Sequence, residues 1–288
     1  MMSMSVESIK FQKERWNKLL MPLVNSWKQT YKHIKDSNFP VIKSSALLSE
    51  DPVEGFIFLE ASQSLEILEQ INEEFQQVEA VVAGNGLLTT EIQSFCVQLL
   101  TSQLPKRWEA VWSGTEDPNE WIKCFGKKLY QLKRWVECAT SGNILNEEFD
   151  LSDLFHPEVF INAWRQRISR SLKVAVDELK MIVSFDQDKI TSVNIVKVKG
   201  LLLQGCILNI NKMLEEGGKN LQEFTPLPVL YLSFVGRETR DPYSTSVDEF
   251  PIFSSTSRER LLMNVRLPVS GDINDRILGG VALMLRDV

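Results

Sequence analysis

The spacing of apolar residues changes once along the chain, near residue 154. Before that point apolar residues recur every three or four positions, which places them on one face of a helix. The first run covers residues 6–34 and carries Ile9, Trp16, Leu19, Leu20, Leu23, Trp27 and Tyr31. A tryptophan stripe of this kind is typical of core packing more often than of a partner-binding face. Pro22 predicts a kink or a break near Met21, because proline lacks the amide donor and crowds the preceding turn.

Two helices are predicted to begin at an acidic residue followed by proline. At the first, Asp51 is placed to accept from the amide of Glu54, Pro52 fits the first helical position, and Glu54 can reach back. The helix that follows is predicted to be roughly 30 residues long. It ends at Gly84-Asn85-Gly86, where glycine supplies a left-handed residue. The second such start is Asp117-Pro118-Asn119-Glu120.

Between these two helices the sequence predicts one more helix and a turn. The helix begins at Thr89 or Thr90 and stops at Pro105, and residues 106–112 are predicted to form a short turn presenting Trp108 and Trp112. Residues 1–139 are therefore predicted to form an all-helical region.

The second half has a different pattern. Residues 140–150, with Gly142 and several acidic and asparagine residues, are the predicted linker. His156-Pro157 predicts the start of a helix at residues 157–173. Alternating apolar positions then predict strands at residues 179–185, 193–198, 201–210, 227–234, 261–267 and 281–286. About six short strands at this spacing indicate an antiparallel barrel or sandwich. The turn-rich segment 236–248 is predicted to be exposed, either as a contact loop or as a solvated connection.

Composition narrows the function classes. The net charge of −6 and the pI near 5.2 argue against a nucleic-acid footprint. The cysteines form no Cys-x-x-Cys pair and there are two histidines, so a zinc site is disfavoured; they are Cys96, Cys124, Cys138, Cys206, His33 and His156. No apolar run reaches the ~20 residues of a membrane span, and residues 1–10 lack the layout of a signal peptide. We expect a soluble, intracellular protein with reduced thiols, no nucleic-acid partner and no membrane insertion.

The motifs of common catalytic sites are missing from the sequence. Gly217-Gly218-Lys219-Asn220 is the nearest string to a phosphate-binding loop, but Met213 stands where the first glycine belongs and Asn220 lacks the hydroxyl. Gly84-Asn85-Gly86 lacks the third glycine of a dinucleotide fingerprint. There is no His-Glu-x-x-His and no Gly-x-Ser-x-Gly.

The remaining polar residues have simpler explanations than catalysis. His156 is better explained as a cap or packed loop residue than as a general base. The acidic pairs Glu73-Glu74 and Glu215-Glu216 are typical of solvated faces. We expect no catalytic, nucleotide-binding or metal-binding residue and no cofactor in this segment.

Residues 154–166 read LFHPEVFINAWRQ. This string resembles the Phe-x-Pro-x-x-Phe-(Leu/Ile)-(Thr/Asn)-Ala-x-Arg-Gln pattern near the C-terminus of dynein heavy chains, most closely the ciliary class, cytoplasmic dynein 2. Later landmarks follow in the family's order: Gly200-Leu201-Leu202-Leu203-Gln204-Gly205-Cys206, Pro251-Ile252-Phe253 with Ser257-Arg258-Glu259-Arg260, and Gly280-Val281-Ala282-Leu283. Upstream landmarks also fit: Trp108, Glu116-Asp117-Pro118 and Trp135-Val136. The resemblance spans nearly the whole sequence.

The resemblance implies an α+β fold. A helical region at 1–139 comprises the end of the sixth ring module and helices of the C-terminal region, and a C-terminal domain at 140–288 has helix 157–173 and a small antiparallel β-barrel at 178–287. It implies a structural and regulatory role in a minus-end-directed microtubule motor that serves retrograde intraflagellar transport and cilium assembly. Gln204 and Phe253 stand where the family has Glu and Tyr, and Arg167-Ile168-Ser169 replaces its Glu-Thr-Ala. These departures put fine functional equivalence in question.

The family's chemistry and partners are implied to lie elsewhere in the parent protein. ATP and magnesium would bind the upstream ATPase ring, and microtubules would bind the stalk. The implied partners are that ring and the dynein intermediate, light-intermediate and light chains, in the cytoplasm, cytoskeleton and ciliary axoneme. Two alternatives remain open from the residues alone: a free-standing helical and β interaction module without motor activity, which Met1-Met2 permits, and an enzyme with an unrecognised site.

Overall fold

The structure, a computed structural model, describes residues 6–43, 46–144, 147–192, 194–216, 223–240, 242–243, 247–270 and 281–285. For residues 6–13 and 216 it describes the backbone alone. The protein divides into two compact units, one formed by residues 1–42 and 59–134 and the other by residues 43–58 and 135–288. Compact units need not be independent domains, so the domain boundary predicted between residues 139 and 140 stays a prediction.

Six α-helices lie in the described ranges: α1 (Val6–Asp36), α2 (Pro52–Val82), α3 (Thr90–Leu100), α4 (Lys106–Val111), α5 (Pro118–Thr140) and α6 (Pro157–Leu172). They confirm the predicted N-terminal helices and the helix at 157–173. The turn predicted at residues 106–112 is wrong, because residues 106–111 form a helix whose Trp108 is buried. In none of these helices is there a stretch long and apolar enough to cross a membrane.

Both acid–proline helix starts are confirmed, but two of the hydrogen bonds predicted at Asp51 differ: this carboxylate accepts from the amide of Val53 and not from that of Glu54, and Glu54 binds elsewhere. Asp51 Oδ1 accepts from the Val53 amide at 2.9 Å, and Asp117 Oδ1 accepts from the Glu120 amide at 3.0 Å. Glu54 does not reach back to the cap as predicted, because its Oε2 accepts instead from the Ser49 hydroxyl at 2.9 Å. In a capping box the Glu54 carboxylate would bind the backbone amide of the cap residue, Asp51; here it binds Ser49, just outside the helix.

Helix α2 ends, as predicted, at a glycine with a left-handed backbone conformation. Gly84 has a φ of 87°, and the amides of Asn85 and Gly86 both donate to Ala80 O, at 2.9 and 2.8 Å. These bonds satisfy a carbonyl at the helix end that has no partner within the helix. The next helix, α3, is capped by Thr89, whose hydroxyl accepts from the Ile92 amide at 3.3 Å.

Pro22 does not divide α1, so of the two outcomes predicted there the break does not occur. Proline removes one amide donor from a ladder of many. The residues on either side of it, Leu20 and Leu23, are 2% and 6% exposed. Burial of both neighbouring turns therefore holds the helix together across the missing bond.

The first unit is built around an aromatic core. Trp27 packs on Phe75 with ring centroids 5.8 Å apart, and Phe75 packs on Trp108 at 5.8 Å. Trp108 stacks on Trp121 at 5.1 Å, and Trp121 stacks on Phe125 at 4.9 Å. The tryptophan stripe of the first helix is thus core, as predicted, because Trp27 is fully buried in this stack.

The second unit contains α6 and the strands. These are β1 (Glu148–Asp150), β2 (Leu179–Ser184), β3 (Val196–Lys199), β4 (Leu202–Gln204), β5 (Cys206–Leu208), β6 (Leu214–Glu216), β7 (Thr225–Pro226), β8 (Leu230–Gly236), β9 (Val247–Phe253), β10 (Leu261–Pro268) and β11 (Ala282–Met284). They form a sheet ordered β1-β3-β8-β2, a sheet ordered β10-β9-β11-β4-β7 and the hairpin β5-β6. Trp164 of α6 packs on Phe234 of β8, with ring centroids 4.7 Å apart.

The predicted antiparallel barrel is wrong for the described residues. Two of the strand pairs are parallel, β1 with β3 and β11 with β9. Strand β10, at the edge of the second sheet, lies beside β2 at the edge of the first, but no ladder joins them in the described ranges. In the described ranges the two sheets therefore stay open, because a closed barrel needs backbone hydrogen bonds between its edge strands, and neither β2 with β10 nor β1 with β7 forms a ladder.

Two other predictions about this unit need correction. Residues 201–210 are not one strand, because Gly205, with a φ of 88°, separates β4 from β5. The linker predicted at 140–150 is wrong at both ends, since α5 reaches Thr140 and β1 occupies its last three residues. Strand β1 is fixed by Phe149, whose ring stacks on Trp135 at 3.9 Å. Burial of that ring explains why an acidic, linker-like sequence pairs into a sheet.

Candidate functional site

The candidate site of the second unit is an open groove beside the loop that joins β8 to β9. We call it the basic groove; it has a volume of about 660 Å³ and is lined by Lys180 and by residues 237–240, 242 and 243. Among the described residues of its lining, three side chains are basic, those of Lys180, Arg237 and Arg240, and one is a carboxylate, that of Glu238. The described part of the lining is therefore positively charged, whereas the protein as a whole has a net charge of −6.

Strand β2 holds both ends of the loop. Where β2 begins, the Arg237 amide donates to Glu178 O at 3.1 Å. Where β2 ends, the Phe185 amide donates to the Tyr243 hydroxyl at 3.1 Å. The loop is therefore bonded to the chain at two points, one beside each end of β2.

The turn at the beginning of the loop is tight. The Thr239 amide donates to Gly236 O at 3.0 Å, which places Arg237 and Glu238 within a hydrogen-bonded turn. Arg237 lies in this turn, Arg240 follows it directly, and both are exposed. Their guanidinium groups are therefore presented to solvent from a backbone with fixed geometry.

Tyr243 forms the aromatic wall of the groove. Burial raises the pKa of its hydroxyl, although hydrogen bonds with Ser184 and the Phe185 backbone act in the opposite direction. The Lys189 ammonium lies 5.5 Å from the centroid of the Tyr243 ring, within range of a cation–π interaction. At neutral pH the Tyr243 hydroxyl is therefore protonated. The Phe185 amide holds this hydroxyl, and the Lys189 ammonium lies over the ring.

A cluster of charges at the far end of β2 supports this wall. Asp186 binds Lys212 through Oδ1 and Lys189 through Oδ2, the latter at 3.1 Å. The hydrogen bonds from Lys212 and Lys189 hold the pKa of Asp186 below its ordinary value, and the bond to Asp186 raises the pKa of Lys212. One carboxylate thus ties the β5–β6 turn to the loop after β2 and balances charge at both lysines.

The groove has the donors to bind anions. Guanidinium groups present several N–H donors in a planar fork that matches carboxylate or phosphate oxygens. Among the described residues of the lining there is no thiol, imidazole or serine hydroxyl to act as a nucleophile. Elsewhere, burial raises the pKa of the Cys96 thiol to about 12, so this thiol stays protonated and unreactive at neutral pH.

The residues singled out in the sequence do not converge on this groove. His156 caps α6 through its backbone, and its imidazole makes no hydrogen bond to the helix end. The string at residues 217–220 lies outside the described residues. Glu74 is not on a solvated face as predicted, because its Oε2 accepts from the buried Trp108 indole at 3.1 Å. Glu73 is exposed, as predicted.

The sequence does contain one signal for the groove. Segment 236–248 is predicted to be exposed, either as a contact loop or as a solvated connection, and its Arg-x-x-Arg spacing places Arg237 and Arg240 in the lining. The contributions of Lys180 and of the Tyr243 wall have no local signal, because both depend on how the loop folds back along β2.

Comparison with known proteins gives one consistent answer. The sequence model for the C-terminal domain of the dynein heavy chain matches residues 2–285. Cytoplasmic dynein 2 heavy chain 1 of Mus musculus is 30% identical over 285 residues, covering 96% of this chain and 6% of the mouse protein. The Homo sapiens protein of that name is 29% identical over 285 residues, with the same coverage of both proteins. That of Chlamydomonas reinhardtii is 25% identical over 293 residues, covering 96% of this chain and 7% of the algal protein. The chain spans about 6% of the length of the curated relatives it matches.

Proposed function

This chain belongs to the family of C-terminal domains of dynein heavy chains, and we propose that it is the C-terminal structural and regulatory segment of a dynein 2 type motor. The observation that carries the proposal is the extent of the match. The identity to cytoplasmic dynein 2 heavy chains covers 96% of the chain, and the family match covers both compact units. The free-standing interaction module is not favoured by this match.

The proposed parent is a minus-end-directed microtubule motor that serves retrograde intraflagellar transport. Hydrolysis of ATP with magnesium belongs to the upstream ATPase ring, and this segment contributes no catalytic, nucleotide-binding or metal-binding residue. Its role is to brace the ring and to tune the motor's force and processivity. Residues 1–139 are proposed to hold the end of the sixth ring module and helices of the C-terminal region, and residues 140–288 the C-terminal domain with its strands.

The proposed partners follow from the same parent. They are the ring of the same heavy chain, the dynein intermediate, light-intermediate and light chains, and microtubules through the stalk. The proposed location is the cytoplasm and cytoskeleton, including the ciliary axoneme. The negative net charge of −6 supports the proposal that nucleic acid is not among the partners.

A chimaeric heavy chain tests the proposal. In mouse cells that lack their own cytoplasmic dynein 2 heavy chain 1, the matching segment of that protein is replaced by this chain. We expect the chimaera to restore the velocity of retrograde intraflagellar transport, measured by kymographs of labelled trains. A heavy chain with an unrelated folded protein of similar size at the same place is the control, and it should not restore the velocity.

The contrary result is equally specific. If the chimaera is expressed at the level of the native heavy chain and transports no better than the control, the chain does not serve as this segment. Affinity purification of the tagged protein from its own cells adds a second measurement. Recovery of peptides from an ATPase ring and of dynein light-intermediate chains supports the proposal, and recovery of the tagged protein alone contradicts it.

A further inference from the structure

The two arginines of the basic groove differ from the basic residues around them. Within the described ranges Lys189 and Lys212 share Asp186, whereas neither Arg237 nor Arg240 takes part in an ion pair there. Both guanidinium groups are exposed. Their donors are therefore available to an incoming anion without breaking an existing bond.

The wall beside these arginines is apolar and firmly held. Pro242 and the ring of Tyr243 are only partly exposed, and the Tyr243 hydroxyl is fixed by the Phe185 amide. Tyrosine and arginine are among the residues most enriched at the energetic centres of protein interfaces. A groove with this composition suits a peptide that has both acidic and apolar side chains.

We propose that the basic groove binds an extended acidic segment of a partner protein, with Arg237 and Arg240 holding its anionic side chains and Tyr243 packing on its apolar ones. This binding site is independent of the motor function proposed above.

Charge distinguishes this ligand from other polyanions. A nucleic acid or an anionic membrane would meet the net charge of −6 over the rest of the protein. Within the groove, Glu238 repels a ligand with a negative charge at every step. A peptide can instead space its acidic side chains to match two arginines that stand three residues apart. The sequence also has Asp241 next to Arg240, a residue outside the described ranges.

Fluorescence anisotropy with the purified 288-residue protein tests the proposal. The probe is a fluorescein-labelled peptide of about eight alternating Glu and Ser residues, which in extended form is longer than the separation of two residues three positions apart. The matched peptide has Gln in place of Glu. We expect the Glu peptide to bind, the Gln peptide to bind at least about tenfold more weakly, and added salt to weaken the binding by screening.

Variants of the two arginines locate the binding. Arg237→Ala with Arg240→Ala should weaken binding of the Glu peptide about tenfold or more, because charge-assisted hydrogen bonds are lost. Arg237→Lys with Arg240→Lys keeps the charge without the planar fork, so an intermediate loss is expected. The matched control, Arg15→Ala with Lys18→Ala, removes the same charge from exposed positions of α1 and should bind like the wild type.

A third peptide, with phosphoserine in place of Glu, identifies the source of the anion. Tighter binding than the Glu peptide indicates a phosphorylated segment, and equal or weaker binding indicates a carboxylate-rich one; either order supports the groove as the site. Three results overturn the proposal: the double alanine variant binds within about twofold of wild type, the α1 control loses as much affinity, or the Gln peptide binds equally well. Thermal unfolding of each variant confirms that the fold is intact.

Discussion

Gly126 of α5 lies so close to Thr30 of α1 that a Cβ atom at position 126 would stand 2.3 Å from Thr30 Cγ2. Both residues belong to the first compact unit. Glycine inside a helix costs about 1 kcal/mol relative to alanine. Its presence in the middle of α5 is explained by this close approach of two helices, which leaves no room for a side chain.

We expect Gly126→Ala to destabilise the first unit by about 1–2 kcal/mol, because the overpacking cost exceeds the gain in helix propensity. Urea unfolding followed by tryptophan fluorescence measures the change. Thr30→Ser removes Cγ2, after which the nearest Thr30 side-chain atom is Cβ at 3.6 Å. In that background Gly126→Ala should be neutral or stabilising. An equal loss in both backgrounds would show that the contact is not the cause.

Gly200 combines two constraints at the connection between β3 and β4. Its φ is +80°, and a Cβ atom there would stand 2.0 Å from Asp150 Oδ2. We expect Gly200→Ala to destabilise the second unit by about 2–4 kcal/mol, as steric overlap adds to a left-handed backbone. Thermal and urea unfolding of the variant check this value.

Asp150 provides the control for that variant. Its Oδ1 accepts from the Ser152 amide at 3.0 Å, so Asp150→Ala alone should cost about 1 kcal/mol through the lost cap. With the carboxylate gone, Gly200→Ala should cost only the backbone strain, about 1–2 kcal/mol. Strictly additive losses in the double variant would contradict the overlap between these two residues.

Glu74 should give the first unit a pH-dependent stability. Burial raises the pKa of its carboxyl above the ordinary 4.5, although bonds from Trp108 and Arg107 oppose the shift. The folded state therefore binds this proton more tightly than the unfolded state does. Its contribution is fully present below pH 4.5 and is lost as the pH rises through the folded-state pKa. Urea unfolding at pH values on both sides of this window measures the effect.

Two substitutions separate charge from hydrogen bonding at this position. Glu74→Gln keeps an acceptor for the Trp108 indole, so it should remove the pH dependence and change stability at neutral pH by less than about 1 kcal/mol. Glu74→Ala leaves a buried indole N–H unpaired and should cost about 1–3 kcal/mol. If the wild type and Glu74→Gln show the same pH dependence, another group is responsible.

Gln204 offers a stabilising substitution. Its Oε1 accepts from Arg258 Nη2 at 2.6 Å, and heavy chains that this sequence resembles have Glu at the position. Gln204→Glu makes this a charge-assisted bond, which should add about 0.5–1 kcal/mol at low salt and less at high salt. Thermal unfolding at two salt concentrations measures it. The gain in stability should vanish in an Arg258→Met background. A gain that persists there would show that the contact with Arg258 is not its cause.

The helices could be predicted closely because their signals are local. The caps at Asp51 and Asp117, the glycine after α2 and the proline that begins α6 act on amides and carbonyls within a few residues of themselves. Glu74 shows the limit of such signals. Its neighbour Glu73 is solvated as expected, but Glu74 meets the indole of Trp108 from a separate helix.

The sequence by itself determined where α2, α3, α5 and α6 begin, that Trp27 belongs to the core, and the family to which the protein belongs, since caps and the order and spacing of motifs are properties of the sequence. It did not determine helix α4 or the burial of Trp108. Only the tertiary structure decided that β1 and β11 pair in parallel, that β2 and β10 do not join in the described ranges, and that the loop after β8 follows β2 to form a groove. The physical reason is the range of the hydrogen bonds. A helix bonds to residues four positions away, whereas a strand or loop takes its partner from anywhere in the sequence.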